Sequence, residues 1–314
     1  MQLNRFVVLG RVGMDLYADP PGTRIEDAQR FTTAIGGSAG NIAVALARQG
    51  AGAALLSCVS DDAVGRYCIA ELGRYGVDTR HIRAVTGGAR NSLAVTETRA
   101  EGCQVVLYRN GAADFDLTPD DGRQIDFATV AGLVVTGTAL ARNPSRRAAR
   151  AAVARARTAG ALVILDIDHR AYSWTDPAEA AAEYRSFADD CDIVVGNDDE
   201  FGLLAGAHDK GEAFAQSLCQ ARALVAVYKM GAAGAVTFTP DFSFRTGIFT
   251  VDALKPMGAG DGFIGGFLAA LSQQFTLDAA VRRGAATAAM IVAGIGCAPA
   301  SPDRTALDAF IAAH

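Results

Sequence analysis

The chain alternates between short, continuously apolar runs and longer stretches in which apolar positions recur every three or four residues. The runs fall at 6–10, 54–59, 132–136, 162–168, 192–196 and 224–229. Apolar segments this short, closed by glycine or a polar residue, read as strands buried on both faces, because a buried helix needs more length. Helical spacing fills 41–49, 63–75 and 144–158 between them. Such alternation predicts a mostly parallel sheet with helices over both faces, an α/β fold built as a three-layer α/β/α sandwich.

Two regions break the rhythm. Residues 11–35 and roughly 90–110 carry no convincing helix, while 92–99 and 103–108 alternate as half-exposed strands around Ala100-Glu101-Gly102, which predicts a hairpin. A small sheet standing off the sandwich is suited to act as a lid over the crevice beyond the strand ends, where open α/β sheets bind ligands. No linker or repeat divides the 314 residues, which read as one domain. With 29 basic against 34 acidic residues the net charge is −5, so there is no cationic field to grip nucleic acid. The six cysteines are scattered without a CxxC, which argues for reduced thiols rather than zinc or disulfides. The apolar run near the start is too short for a signal-peptide core or a membrane span, so no membrane partner and a cytoplasmic location are expected.

Candidate chemistry concentrates in Lys255-Pro-Met-Gly-Ala-Gly-Asp-Gly-Phe263, followed by a helical run over 264–271. Glycines 258 and 260 allow a tight turn with main-chain N–H groups facing outward, and the helix adds its positive end, so the segment can cradle an anion. Asp261 in the first turn could take a proton from a hydroxyl beside that cradle, the logic of a small-molecule kinase. The plain alternative makes Asp261 a helix cap and the glycines a turn. Gly260, Gly262 and Gly265 also spell a dinucleotide fingerprint, with Asp278 downstream, but no clean strand precedes them. Gly36-Gly-Ser38-Ala-Gly40 matches a hydrolase elbow, yet His81, His169, His208 and His314 offer no evident partner and no HGGG-type segment precedes Ser38. Gly36 and Gly37 with Asn41 suit close approach to a polyhydroxylated ligand, and Asp15, just past the first strand, could accept sugar hydroxyls. Singly these are ordinary cap and turn residues; with Asp261 they outline a sugar-sized crevice.

Gly36-Gly-Ser-Ala-Gly-Asn41, Asn197-Asp-Asp-Glu200, Lys229-Met-Gly231-Ala-Ala-Gly234 and Gly258-Ala-Gly-Asp261 stand in one order along the chain. In this the sequence resembles the ribokinase or PfkB family of carbohydrate kinases, over nearly its whole length. The resemblance implies ATP as phosphoryl donor, Asp261 as base, and the amides of Gly258, Ala259 and Gly260 around the moving phosphoryl. It also implies Mg²⁺ with its water shell held by Asn197 and Glu200, and Lys229, Gly231 and Gly234 along the nucleotide, with small residues of 285–300 near the adenine. No GxxxxGK[ST] segment occurs, so a P-loop enzyme is excluded.

Segments 107–109, 135–140, 143–146, 168–174 and 255–261 are similar to the subgroup that phosphorylates 5-dehydro-2-deoxy-D-gluconate in myo-inositol catabolism. Kinases of 2-keto-3-deoxygluconate or fructose are the alternatives within the family, and a sugar-binding regulator without turnover is the alternative from another class. For an acid sugar, Arg109 and Arg170 are expected to meet the carboxylate; the plain readings are a surface charge for Arg109 and a salt bridge to Asp166 or Asp168 for Arg170. Where the family commonly has a carboxylate that helps hold a monovalent cation, this chain has Lys255, expected to supply that charge itself unless it points to solvent. Trp174 reads as packing. Val95, Val106 and Leu107 on the lid are expected to be apolar and outward, which points to a homodimer through the lid.

Overall fold

The computed structural model describes residues 4–99 and 101–314; Met1, Gln2, Leu3 and Ala100, the last in the expected hairpin turn, lie outside them. Thirteen strands are described: β1 (Arg5–Leu9), β2 (Gly13–Asp19), β3 (Arg30–Gly36), β4 (Gly52–Ser60), β5 (Ile82–Val85), β6 (Ser92–Thr96), β7 (Val105–Tyr108), β8 (Gly132–Thr136), β9 (Leu162–Asp166), β10 (Ile193–Asn197), β11 (Val225–Lys229), β12 (Ala235–Phe238) and β13 (Ser243–Thr246). The helices are α1 (Ser38–Arg48), α2 (Ala63–Arg74), α3 (Ser145–Thr158), α4 (Pro177–Ala188), α5 (Asp198–Ala205), α6 (Gly211–Ala221), α7 (Ala259–Ser272), α8 (Leu277–Val292), α9 (Cys297–Ala300) and α10 (Arg304–Ala313).

Nine strands form one sheet in the order β13-β12-β11-β10-β9-β8-β1-β4-β5. From β11 to β5 every neighbour is parallel; only β12 and β13 run antiparallel, as a closing hairpin. The period of two divides the sheet's apolar residues between two cores. Val7 and Leu9 of β1 pack with Ala152 of α3, Tyr184 of α4, Phe201 of α5 and Leu218 of α6. Phe6 and Val8 pack on the other side with Ile42 of α1, Leu72 of α2, Phe267 of α7 and Val281 of α8. This is the three-layer sandwich read from the sequence. Among the described residues no helix is long and apolar enough to cross a membrane.

The two segments without helical spacing form a second sheet in the order β3-β2-β6-β7. β6 and β7 pair antiparallel, as the alternation suggested, and β2 joins them in parallel. One face of this sheet carries Asp15, Tyr17, Ala94, Thr96, Val105 and Leu107 toward a cleft at the carboxyl ends of the main strands. Leu107 is therefore not outward, as the sequence suggested; the outer face instead carries Val95 opposite Val106, together with Leu16, Phe31 and Tyr108. The two periods differ by one residue, so Leu107 and Val106 necessarily face opposite ways.

Candidate active site

β1, β9, β10 and β11 deliver their carboxyl ends to a cleft of about 1490 Å³, between the starts of α1 and α7 and the inner face of the small sheet. That volume exceeds what one small ligand fills and suits two reactants side by side. Asp261 lies in the first turn of α7 and lines the cleft. The turn before it depends on Gly258, which caps the helix at φ 84°; a Cβ there would stand 2.3 Å from Cys297 Sγ, so only glycine fits. Ala259 and Gly260 also line the cleft, and first-turn amides have no carbonyl within their own helix, so they remain available to an anion.

Asn41 Nδ2 donates to Asp261 Oδ2 at 2.8 Å, fixing the carboxyl across a separation of 220 residues. Burial raises the Asp261 pKa to about 6, and the charge of Asp168 adds to it, while the Asn41 bond, Arg170 and Arg11 oppose the rise. The carboxyl is thus ionised at neutral pH yet basic enough to accept a proton as a hydroxyl reacts. Gly258 caps α7 and no side chain does, so Asp261 is not the helix cap of the plain alternative; its carboxyl is held by Asn41 instead.

On the small-sheet side, Asp15 lines the cleft and accepts a bond from Tyr17 Oη at 3.2 Å. Burial raises its pKa, against Arg11, Tyr17 and Lys255. Gly36 does not itself line the cleft: a Cβ on it would stand 1.8 Å from Asp15 Oδ1, so its contribution is the space that Asp15 occupies. Gly37, at φ 85°, starts α1 against the Arg11 carbonyl.

The two expected arginines both line the cleft and both already hold a carboxylate. Arg109 is buried, not a surface charge; its two terminal nitrogens bond Asp114 at 2.7 Å each, and one also reaches Ser92 Oγ at 2.9 Å. Its guanidinium lies 4.3 Å from the Phe115 ring centre. Arg170, half-exposed, pairs with Asp168 at 2.5 Å, and that partner raises its pKa. Trp174 packs against both Tyr184 and the core and donates to Tyr184 Oη at 3.2 Å.

Asn197 and Glu200 line the same cleft and form a reciprocal cap on α5. Asn197 Oδ1 accepts from the Glu200 amide at 2.8 Å, and the Glu200 carboxylate accepts from the amides of Asn197 at 2.8 Å and His169 at 3.0 Å. The NxxE spacing is thus also that of a capping box. Lys229 ends β11, and a Cβ on Gly260 would stand 3.2 Å from its Nζ, so this cation sits at the cradle. Gly231 and Gly234 line the cleft beyond it, as do Ala285 and Ala289 of α8. Lys255 is wholly buried rather than solvent-facing. Its Nζ donates to the carbonyls of Met257 at 2.9 Å and Ile291 at 3.2 Å, directly behind the cradle.

A family model described as pfkB family carbohydrate kinase matches residues 3–304. The chain belongs to that family. The kinase is 38% identical over 313 residues to a 5-dehydro-2-deoxygluconokinase of Photobacterium profundum, covering 97% of this chain and 94% of the relative. It is 32% identical over 314 residues to the 5-dehydro-2-deoxygluconokinase of Geobacillus kaustophilus, covering 98% and 94%. Its fold matches that of a fructokinase double mutant from Vibrio cholerae O395, crystallised with fructose, ADP and potassium, with a TM-score of 0.87, 27% identity and 98% of both chains covered. An ATP-dependent sugar kinase accounts for a cleft with room for two ligands.

The rival motifs have packing explanations in this kinase. Gly262 and Gly265 lie inside α7, where a Cβ would stand 2.3 Å from Ile291 Cδ1 and 2.3 Å from Ala45 Cβ, so their role is to let helices approach. Ser38 Oγ is buried without any hydrogen-bond partner among the described residues, so no base stands ready to activate it. Among the charged cleft residues that the sequence did not assign to the site are three with a bearing on its chemistry, two of them named there only as partners for Arg170. Asp166 ends β9 and Asp168 lies two residues beyond it; burial, and after it the charge of Asp168, raises the Asp166 pKa well above the ordinary range. Asp168 takes φ 34° and leaves Oδ2 buried without a partner. The third is Arg11. The acidic pair could have been noticed from Asp166-Ile-Asp168 at a strand end; nothing in the sequence sets Arg11 apart.

Proposed function

We propose that this kinase transfers the terminal phosphoryl of ATP to the primary hydroxyl of 5-dehydro-2-deoxy-D-gluconate. The observation that carries the reading is the Asp261 carboxyl, raised to about 6, held by Asn41 and set in the first turn of α7 beside unbonded amides. The sugar's hydroxyls lie against Asp15 and Asn41, its reacting oxygen against Asp261, which takes the proton as the oxygen attacks. Amides of Gly258, Ala259 and Gly260, with Lys229 beside them, receive the charge on the phosphoryl group. The choice of an acid sugar rests on full-length likeness to relatives of that name and on the arginines that face the cleft. The small sheet, carrying residues of 11–35 and 90–110, acts as the lid that excludes water from the reaction.

Mg²⁺ bound with ATP would neutralise the triphosphate charge. The residues fit such an ion: Asp168 Oδ2 is buried and unpartnered, Asp166 and Glu200 crowd the same end of the sheet, and the oxygens of Asn197 and Glu200 keep lone pairs for bound water. Lys255 is wholly buried with two main-chain carbonyls on its Nζ, surroundings that suit a monovalent cation, and supplies that charge in place of potassium. The kinase pairs with a second copy through the outer face of the lid.

The test follows ADP release from Mg-ATP with 5-dehydro-2-deoxygluconate, 2-keto-3-deoxygluconate and fructose. The first should give the highest kcat/KM, and Asp261→Asn should lower kcat by about 100- to 10,000-fold while sugar still binds by calorimetry. Preference for fructose would overturn the substrate, and sugar binding without ADP release by the unmodified chain would favour a regulator.

A further inference from the structure

Four arginines line the cleft, and they differ in what meets their charge. Arg109 is neutralised by both oxygens of Asp114 and Arg170 by Asp168. Arg142 is exposed, where water satisfies it. Arg11 has neither remedy. It is 8% exposed, its Nε has no hydrogen-bond partner, and among the described residues it forms no ion pair. No carboxylate bonds this guanidinium directly, so its hydrogen-bonding capacity in the cleft is left for a ligand that brings an anion.

The fold fixes where that anion must arrive. Arg11 follows β1, the strand between β8 and β4, and its carbonyl accepts from the Gly40 amide at 3.2 Å, which ties this backbone to the start of α1. Its charge acts on Asp15, more strongly than that of Lys255, and on Asp261, where that of Arg170 acts more strongly still. The phosphate side has cations of its own, Lys229 at Gly260 and Lys255 behind Met257. An anionic sugar entering between Asp15 and Asp261 would be repelled by both unless a cation met it there.

We infer that Arg11 is the principal cation for the substrate's carboxylate and so sets the preference for an acid over a neutral sugar. This rests on the kinase taking an acid sugar, as proposed above. Arg109, held by Asp114, instead shapes the edge of the lid, and Arg170 is free to share the carboxylate only through nitrogens that Asp168 leaves unused.

The experiment measures Arg11→Met and Arg11→Lys at saturating Mg-ATP, with 5-dehydro-2-deoxygluconate and with fructose as uncharged comparator. Melting temperature and ATP affinity serve as folding controls. Arg11→Met should raise KM for the acid roughly 10- to 100-fold, the span of a charge-assisted bond, with a much smaller change in kcat, and should narrow the acid-to-fructose ratio of kcat/KM by a similar factor. Arg11→Lys should recover part of both. An unchanged KM in a folded variant would overturn the inference, as would equal losses for acid and neutral sugar, which mark a structural role. A fall in kcat with a raised KM for ATP would overturn it too, placing Arg11 on the transferred phosphoryl. Wild-type kinase that prefers fructose refutes the acid-sugar reading itself, before any variant is compared.

Discussion

Asp261 shares its end of the cleft with Asp168, and the two charges cannot be independent. Burial and Asp168 together hold the Asp261 carboxyl near 6, above its ordinary value, so the group loses its proton only as the pH rises through that value. A base must be unprotonated to work, so kcat/KM should fall on the acid side with a midpoint near 6. Asp168→Asn removes the neighbouring negative charge and releases Arg170, and both changes favour the ionised form of Asp261. The acid limb should therefore move to lower pH, read from a pH–rate profile of the variant. Asparagine tolerates the left-handed backbone that Asp168 adopts, so the substitution leaves the turn in place. A limb that stays put or moves to higher pH would mean that another group governs the profile.

At the scale of elements, the segment leading into α7 joins Gly258, whose turn needs glycine, to Lys255, whose side chain runs under that turn. Since Nζ bonds two main-chain carbonyls, Lys255 holds the cradle's shape as well as its charge. Replacing KCl with tetramethylammonium chloride should leave the wild-type rate within about twofold, whereas Lys255→Met should lose roughly 100-fold in kcat, the usual scale for one preorganised electrostatic group. Loss of most wild-type activity without potassium would refute the substitution of one cation for the other. The main-sheet elements were legible because strands buried on both faces must be continuously apolar; β8 matches its run at 132–136 in full. The small sheet was half legible. Its β6 and β7 show the period of two, but their parallel pairing with β2 joins segments nearly eighty residues apart, a contact no local pattern encodes. Likewise Asp261 and Asn41 could be named from their motifs, whereas the meaning of Arg11 comes from partners it lacks, and the burial of Lys255 from carbonyls supplied by Met257 and by Ile291 at the end of α8.

At the scale of the molecule, the outer face of the small sheet is unusually apolar for a surface. Val106 is 41% exposed and Tyr108 61%, both on β7, which also bears the cleft residues Val105 and Leu107, and Phe31 of β3 is 39% exposed. Burying this face against a second copy would remove these side chains from water and brace the roof of each cleft. Light scattering should give twice the chain's mass, and Val106→Lys should give a single chain with weaker sugar binding. A wild-type protein that runs as a single chain at micromolar concentration would remove the pairing.

The bond from Asn41 to Asp261 has a consequence for how the kinase comes into being. One member is made among the first forty-odd residues and the other only when more than four-fifths of the polypeptide has left the ribosome. A truncated product that stops short of α7 keeps the sheet's central strands yet owns only half of the reaction centre. A chain that ends before α7 therefore lacks both Asp261 and the first-turn amides beside it, and cannot carry out the proposed transfer.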